Sequence, residues 1–159
     1  MIQNTSKTIP MLANQTNDQF QRFNKYMKVS VLLSIHNRAE LFERGLWSYT
    51  KQSMHKDDFE IIVVDDLSTV DLRSVMFQYK GLLNIRHIKM DHTRHWFFKE
   101  LNPGWKKGDG DFKNWAHTPA ASYNIAMKKS QGQVVCITQP EIIIAPDALE
   151  RGWEVSYSG

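Results

Sequence analysis

The fold is decided by the stretch KVSVLLSIHNRAE, residues 28–40, in which a run of apolar side chains changes abruptly to polar ones. Lys28–Ile35 is almost continuously apolar, which is typical of a strand buried on both faces in a parallel sheet. Asn37 and Glu40 have the residue types of a helix N-cap and its capping-box partner. A helix is therefore predicted over about Arg38–Gln52. The side chains that its period predicts to be buried are Leu41, Phe42, Leu46, Trp47 and Tyr49.

The alternation of strand and helix continues along the chain. A second buried strand, Phe59–Val64, ends in Asp65-Asp66-Leu67-Ser68. The later elements are predicted as a short helix near Asp71–Tyr79, a weaker strand over Asn84–Met90, a helix from Thr118 to about Lys129, a strand over Gln133–Thr138 and a last helix from Ala145 to about Tyr157. Parallel-type strands joined by helices predict an α/β layered fold.

Composition limits the classes of function. The 159 residues are enough for one domain, and a net charge of +3 suits an anionic ligand but is too small to require nucleic acid or a membrane surface. Cys136 is the single cysteine, so no disulfide forms within the chain, and its apolar surroundings indicate a buried thiol rather than a nucleophile. No apolar run reaches the length of a transmembrane segment. We therefore expect a cytoplasmic protein with no nucleic-acid partner.

Two segments depart from the regular pattern. Residues 1–26 are predicted to be a polar N-terminal arm, and residues 27–159 a single domain. Within that domain residues 91–117 are a long loop rich in tryptophan and phenylalanine. The loop has three interpretations: a lid over a ligand, a stacking surface for a sugar ring, or a small satellite core. His92 and His95 in this loop lack further ligands at zinc-like spacing, which argues against a structural zinc site.

Polar groups follow three of the predicted strands, where ligands bind in open α/β sheets. They lie in Ser34–Arg38, Asp65–Ser68 and Thr138–Glu141. A carboxylate can accept a hydrogen bond from the imide N–H of a uracil. A carboxylate beside a diphosphate can hold Mg²⁺ or Mn²⁺. Each group taken singly also has a structural explanation, as a cap or a turn. Together and in this order they favour a ligand site.

These residues resemble family-two glycosyltransferases of the GT-A fold. The resemblance begins with Val29–Glu40, continues through Phe59–Thr69, with its Val-Val-Asp-Asp-Leu-Ser, and resumes over Pro119–Ala126 and from Gly132 to Glu150. It implies a Rossmann-like three-layer α/β fold with a mainly parallel sheet. It also implies an inverting transfer of sugar from a nucleotide-diphospho-sugar, UDP-linked, to the hydroxyl of a glycan or other acceptor.

The resemblance also implies roles for single residues. Asp66, or its neighbour Asp65, would bind the uracil base. The metal-binding Asp-x-Asp of the family falls on Gln139-Pro140-Glu141, which leaves Glu141 as the one charged ligand for Mg²⁺ or Mn²⁺. The donor-binding residues that follow from this comparison are Ser34, His36, Asn37, Arg38, Asp65, Asp66, Ser68, Asn124 and Gln139.

The chain departs from the family pattern in the acceptor half. The family's general base lies further along the chain than Gly159, so the catalytic residue is not identified and a truncated domain is expected. The alternative function is a non-catalytic nucleotide-sugar-binding module. A dinucleotide-dependent oxidoreductase is disfavoured because no Gly-x-Gly-x-x-Gly follows the first strand.

Overall fold

The computed structural model describes residues 26–90 and 119–157. The predicted arm, apart from Tyr26, and the aromatic loop with His92 and His95 lie outside these ranges, so both stay predictions. The elements in chain order are β1 (Val29–Ile35), α1 (Ala39–Tyr49), β2 (Phe59–Asp65), α2 (Leu72–Gln78), β3 (Ile85–Lys89), α3 (Pro119–Lys129), β4 (Val134–Thr138) and α4 (Ala148–Tyr157). Every described strand and helix was predicted, with bounds that differ by a few residues.

The four described strands form one parallel sheet in the order β3-β2-β1-β4. In the register, Ile35 of β1 lies beside Asp65 of β2, and Leu33 lies beside Thr138 of β4. The carboxyl ends of β1, β2 and β4 therefore meet at one edge. The prediction of an α/β fold with a parallel sheet is confirmed.

Apolar side chains cover both faces of the sheet, which makes three layers. On one face Val31 and Leu33 pack into a core with Phe42 of α1 and Leu149 of α4. On the other face Leu32, Ile62 and Val64 pack against Ala126 of α3. Because β1 and β2 are buried on both sides, their sequences are continuous apolar runs rather than alternating ones. No helix in the described ranges is both long and apolar enough to cross a membrane.

Helix α1 is shorter than predicted, and its buried stripe is narrower. Phe42, Gly45, Leu46 and Tyr49 are buried, and this spacing covers one helical face. Leu41 and Trp47, which were expected in the core, are 43% and 54% exposed. They lie on the flanks of the stripe, so the prediction was wrong for these two residues.

A buried polar cluster ties the sheet to the connection between α3 and β4. Glu60 on β2 is fully buried and accepts hydrogen bonds from the Ser30 hydroxyl at 2.7 Å and the Gln131 backbone N–H at 2.8 Å. The Arg86 guanidinium lies 2.8 Å from the second carboxylate oxygen and also donates to the Lys129 carbonyl. The burial of Glu60 is therefore compensated by one charge partner and two neutral donors.

Candidate functional site

A cavity of about 540 Å³ opens at the edge where β1, β2 and β4 end. Six of the predicted site residues line it: Ser34, His36, Arg38, Asp66, Gln139 and Glu141. Pro119 and Tyr123 from α3 and Pro140 complete the lining. The parallel register explains this convergence, since residues 103 positions apart in sequence follow neighbouring strands.

The turn between β1 and α1 is fixed by hydrogen bonds to the turn after β2. The Asn37 side-chain oxygen accepts from the Thr69 backbone N–H at 2.8 Å, and the Asn37 N–H donates to the Ser68 hydroxyl at 2.8 Å. Asn37 and Arg38 both have positive φ, 56° and 60°, which Asn tolerates better than most residues. The hydrogen bonds of Asn37 therefore stabilise the left-handed backbone of this turn, from which the Arg38 side chain reaches the pocket.

The prediction that Asn37 caps α1 was wrong. The N-cap position is occupied by Arg38, and no side chain caps the helix there. Asn37 instead uses its side chain to hold residues more than 30 positions away, as its bonds to Thr69 show. The neighbouring helix α2 does have a side-chain cap, because Asp71 accepts from the backbone N–H groups of Arg73 and Ser74.

The ring of His36 is held from both nitrogens. Its Nδ1 lies 2.7 Å from the Asp66 carbonyl oxygen, and its Nε2 lies 2.8 Å from the Asn37 side-chain nitrogen. A carbonyl only accepts, so Nδ1 carries the hydrogen and Nε2 accepts from Asn37. This arrangement specifies the neutral ring, placed in the pocket wall as a flat surface.

The two adjacent aspartates face different cavities. Asp66 is buried and lines the main pocket. Asp65 lines a separate cavity of about 370 Å³, where it accepts from the Ser68 backbone N–H at 2.8 Å and lies 3.6 Å from His87 Nε2. Burial raises the pKa of Asp65, but the nearby His87 ring and the hydrogen bonds from Ser68 outweigh it and hold the pKa below its usual value. Asp65 and Ser68 thus hold the turn, and Asp66 is the aspartate of this pair that faces the main pocket.

Glu141 forms an ion pair with Arg38 across the pocket. The Arg38 guanidinium lies 2.5 Å from Glu141 Oε1, and the side chains are 57% and 23% exposed. Glu141 Oε2 is buried and has no hydrogen-bond partner in the described part of the chain. Burial raises the pKa of Tyr123, and the negative charge of Glu141 raises it further.

The donor set at Glu141 is compatible with a metal only when a ligand supplies oxygens. No group of three His, Cys, Asp or Glu side chains that could hold a metal ion exists within residues 26–90 and 119–157. Gln139 contributes no charge. The buried Oε2 of Glu141 is a suitable hard oxygen ligand for Mg²⁺ or Mn²⁺, and a diphosphate would supply further oxygens.

A glycine in α1 allows the Glu141 segment to approach. A Cβ placed on Gly45 would stand 2.1 Å from the Pro140 carbonyl oxygen and 3.2 Å from the Pro140 carbonyl carbon. Any larger side chain would therefore push Pro140, which lines the pocket beside Glu141. Packing in the core of α1 and the shape of the pocket are coupled at this position.

The structure does not bring Asn124 into this pocket. Asn124 is exposed on α3, while its neighbour Tyr123 lines the cavity and donates from its hydroxyl to the Thr138 carbonyl at 2.8 Å. Tyr123, Pro119 and Pro140 line the pocket but were not among the site residues predicted from sequence. Helix periodicity relates two of these residues. Pro119 begins α3, and Tyr123 follows it by four positions, so both lie on the helix face that lines the pocket.

Comparison with known proteins shows which family the chain resembles. The model of the family described as glycosyl transferase family 2 matches residues 30–116, more than half of the chain. The poly(ribitol-phosphate) beta-glucosyltransferase of Bacillus spizizenii is 28% identical over 130 residues. That alignment covers 82% of this chain and 17% of the Bacillus protein. The aligned part of this chain thus spans less than a fifth of that relative's length.

Solved structures have the same fold. The crystal structure of Staphylococcus aureus TarS 1-349 superposes with a TM-score of 0.61 at 25% identity, over 79% of this chain and 31% of that one. The same TarS fragment in complex with UDP-GlcNAc gives a TM-score of 0.59 at 24% identity, covering 79% and 30%. A mannosyltransferase of Pyrobaculum calidifontis, in complex with GDP-Man and Mn²⁺, gives 0.50 at 21% identity, covering 72% and 27%, and supports the fold alone. The architecture is that of the GT-A glycosyltransferases.

Proposed function

The chain belongs to glycosyl transferase family 2, and we propose that it binds a nucleotide-diphospho-sugar, UDP-linked, and transfers the sugar with inversion to an acceptor hydroxyl. The observation that carries the proposal is the convergence of Asp66, His36, Arg38 and Glu141 on one cavity at the carboxyl edge of the parallel sheet. This edge is where open α/β folds bind ligands. A cytoplasmic location stays a prediction that rests on the single unpaired cysteine.

We assign the uracil base of the donor to the part of the pocket beside Asp66 and His36. The Asp66 carboxylate would accept the imide N–H of uracil, and the neutral His36 ring would stack on the base. Ser34 and Gln139 would supply polar contacts to the ribose. Asn37, Asp65 and Ser68 support this wall through the turn contacts rather than from the cavity itself. The UDP-GlcNAc complex of TarS supports a UDP-linked donor.

The diphosphate would lie towards Arg38 and Glu141. Glu141 Oε2 would hold Mg²⁺ or Mn²⁺ together with phosphate oxygens, and that ion would stabilise the negative charge of the leaving diphosphate. The Pyrobaculum mannosyltransferase is in complex with GDP-Man and Mn²⁺, which supports the proposal that a divalent ion takes part in donor binding.

In the transfer itself, an acceptor oxygen attacks C1 of the sugar, and the bond from C1 to the diphosphate oxygen breaks on the opposite side. The acceptor proton passes to a base. Asp66 and Glu141 are the only acidic residues among the described lining residues, and both are assigned to the donor. The catalytic base, which takes the proton of the acceptor hydroxyl, is therefore left unassigned. The acceptor is a glycan or another hydroxyl compound.

Isothermal titration calorimetry tests the donor assignment. UDP, UDP-glucose and UDP-GlcNAc are titrated with Mn²⁺ into the protein, into Asp66→Asn and into Asp57→Asn. Asp57 is a matched control, because its side chain is 64% exposed in the turn before β2, at the opposite edge of the sheet. We expect binding that Asp66→Asn weakens at least tenfold and Asp57→Asn leaves unchanged, since a hydrogen bond to a charged group contributes roughly 1.5–3 kcal/mol. No heat with any nucleotide sugar would refute the proposal.

A non-catalytic nucleotide-sugar-binding module is the second candidate. The neutral Gln139 at the family's metal motif favours it. The two are separated by following release of UDP from UDP-glucose and UDP-GlcNAc, with and without polyol and glycan acceptors. Donor binding with neither transfer nor hydrolysis would indicate a module, and acceptor-dependent UDP release would indicate the enzyme.

A further inference from the structure

The ion pair between Arg38 and Glu141 occupies the same carboxylate that a divalent ion would use. The Arg38 guanidinium holds Oε1 of Glu141 at 2.5 Å, while Oε2 lies buried without a hydrogen-bond partner among the described residues. Both side chains line the pocket. The carboxylate that matches the family's metal position thus already has a cation beside it.

We propose that Arg38 is an internal counter-ion that competes with the divalent metal for Glu141 and turns to the donor diphosphate when the donor binds. The proposal rests on the proposed function and deepens it. It makes Arg38 a donor-binding residue that supplies positive charge to the diphosphate even without metal. The metal then increases donor affinity rather than being required for it.

Electrostatics favour this exchange. A divalent ion on Oε2 would stand beside the guanidinium on the same carboxylate, so like charges would repel and donor-free metal binding is weakened. A diphosphate brings several negative charges, and a planar guanidinium binds phosphate oxygens with two parallel hydrogen bonds. Once Arg38 has turned to the diphosphate, Glu141 is free for the metal.

The local structure permits the movement. The backbone of Arg38 is anchored, because Asn37 holds the turn to Ser68 and Thr69. The side chain is 57% exposed, so it can change rotamer without displacing core residues. Glu141 follows Pro140, whose carbonyl lies against Gly45, and it is the more fixed partner. The exchange therefore needs a rotation of one long side chain rather than a change of fold.

The test measures UDP affinity by calorimetry in EDTA and in saturating Mn²⁺, and takes the ratio of the two dissociation constants. The proteins are the unsubstituted chain, Arg38→Gln, Arg38→Lys, Glu141→Gln and the matched control Arg44→Gln. Arg44 is exposed on α1 and is not among the residues that line the pocket. Circular dichroism of each variant establishes that it is folded. Mn²⁺ binding without nucleotide is measured separately by electron paramagnetic resonance.

Opposite effects are expected for the two members of the pair. Arg38→Gln should weaken metal-free UDP binding about tenfold and increase the Mn²⁺ effect, because a charged hydrogen-bond donor to the diphosphate is lost. It should also tighten nucleotide-free Mn²⁺ binding up to about fivefold, the upper end for a partly exposed ion pair. Glu141→Gln should tighten metal-free UDP binding up to about fivefold, because Arg38 no longer has to leave a carboxylate, and it should bring the ratio close to one. Arg38→Lys should fall between, and Arg44→Gln should match the unsubstituted chain.

Two results overturn the proposal while leaving donor binding intact. One is an Arg38→Gln variant whose metal-free UDP affinity and Mn²⁺ ratio are both unchanged. The other is a Mn²⁺ ratio that Arg38→Gln lowers as Glu141→Gln does, which would mean that Arg38 holds Glu141 in place for the metal. Absence of UDP binding to the unsubstituted chain under both conditions is a distinct result, and it refutes the proposed function together with this inference.

Discussion

Replacing Gly45 by alanine tests the coupling between helix α1 and the pocket wall. The added Cβ would stand 2.1 Å from the Pro140 carbonyl oxygen, so one of the two backbones must move by about 1 Å to reach an ordinary contact. Overpacking of this kind costs about 1–3 kcal/mol, and a clash with backbone belongs at the upper end. Alanine recovers about 1 kcal/mol of helix propensity. The expected net loss in the free energy of unfolding is about 2 kcal/mol.

Gly152→Ala is the matched control for this prediction. Gly152 lies inside helix α4, and a Cβ placed on it meets no atom within 4 Å. Helix propensity then acts alone, so this variant should be more stable than the unsubstituted chain by up to about 1 kcal/mol. Urea denaturation followed by circular dichroism measures both changes as shifts of the midpoint at constant slope.

The same movement should reach the ligand site. Displacing Pro140 shifts Glu141, the next residue, so Gly45→Ala should reduce the Mn²⁺-dependent part of UDP binding while Gly152→Ala leaves it intact. If Gly45→Ala is as stable as Gly152→Ala and binds UDP with unchanged metal dependence, the close approach of α1 to the pocket wall is refuted.

Three further predictions concern charge and burial. Glu60→Ala should lower the free energy of unfolding by about 1–3 kcal/mol in urea denaturation, because the Gln131 N–H and the partly exposed Arg86 lose the carboxylate that accepts from them; a loss below about 0.5 kcal/mol would contradict the buried network. The pKa of Asp65 is held below 3.8, so its ionised form stabilises the fold above the unfolded-state pKa, and this contribution is lost as pH falls through the lowered value. Thermal denaturation should accordingly show that Asp65→Asn is less stable than the unsubstituted chain at pH 7, with a gap that narrows below about pH 4; a gap independent of pH would count against it. Burial raises the pKa of the Cys136 thiol, so Ellman's reagent at pH 7.5 should label the folded protein far more slowly than the urea-unfolded chain, and equal rates would show that the thiol is accessible.

The sheet could be predicted because its two central strands, β1 and β2, are buried on both faces. Val29–Ile35 and Phe59–Asp65 pack under helices on either side, and such burial requires the continuous apolar runs that the sequence contains. The carboxyl edge of the sheet then follows from topology alone. This is why six of the site residues predicted from sequence line a single cavity.

The errors arise where a residue acts over a long distance in sequence. Asn37 was assigned to the nearest helix, but it binds Thr69, and Arg38 binds a glutamate 103 residues away. Local capping rules contain no information about such partners. The sequence also left open whether Asp65 or Asp66 faces the pocket. Successive residues of a strand point in opposite directions, so the answer depends on where β2 ends, which is at Asp65.

A crystal structure of the protein with UDP and Mn²⁺ tests the central claim most directly. We expect the uracil ring against His36, with its imide nitrogen within hydrogen-bond distance of the Asp66 carboxylate and the diphosphate beside Arg38 and Glu141. A nucleotide bound in the separate cavity beside Asp65 and His87, or absent from the edge where β1, β2 and β4 end, would contradict the account.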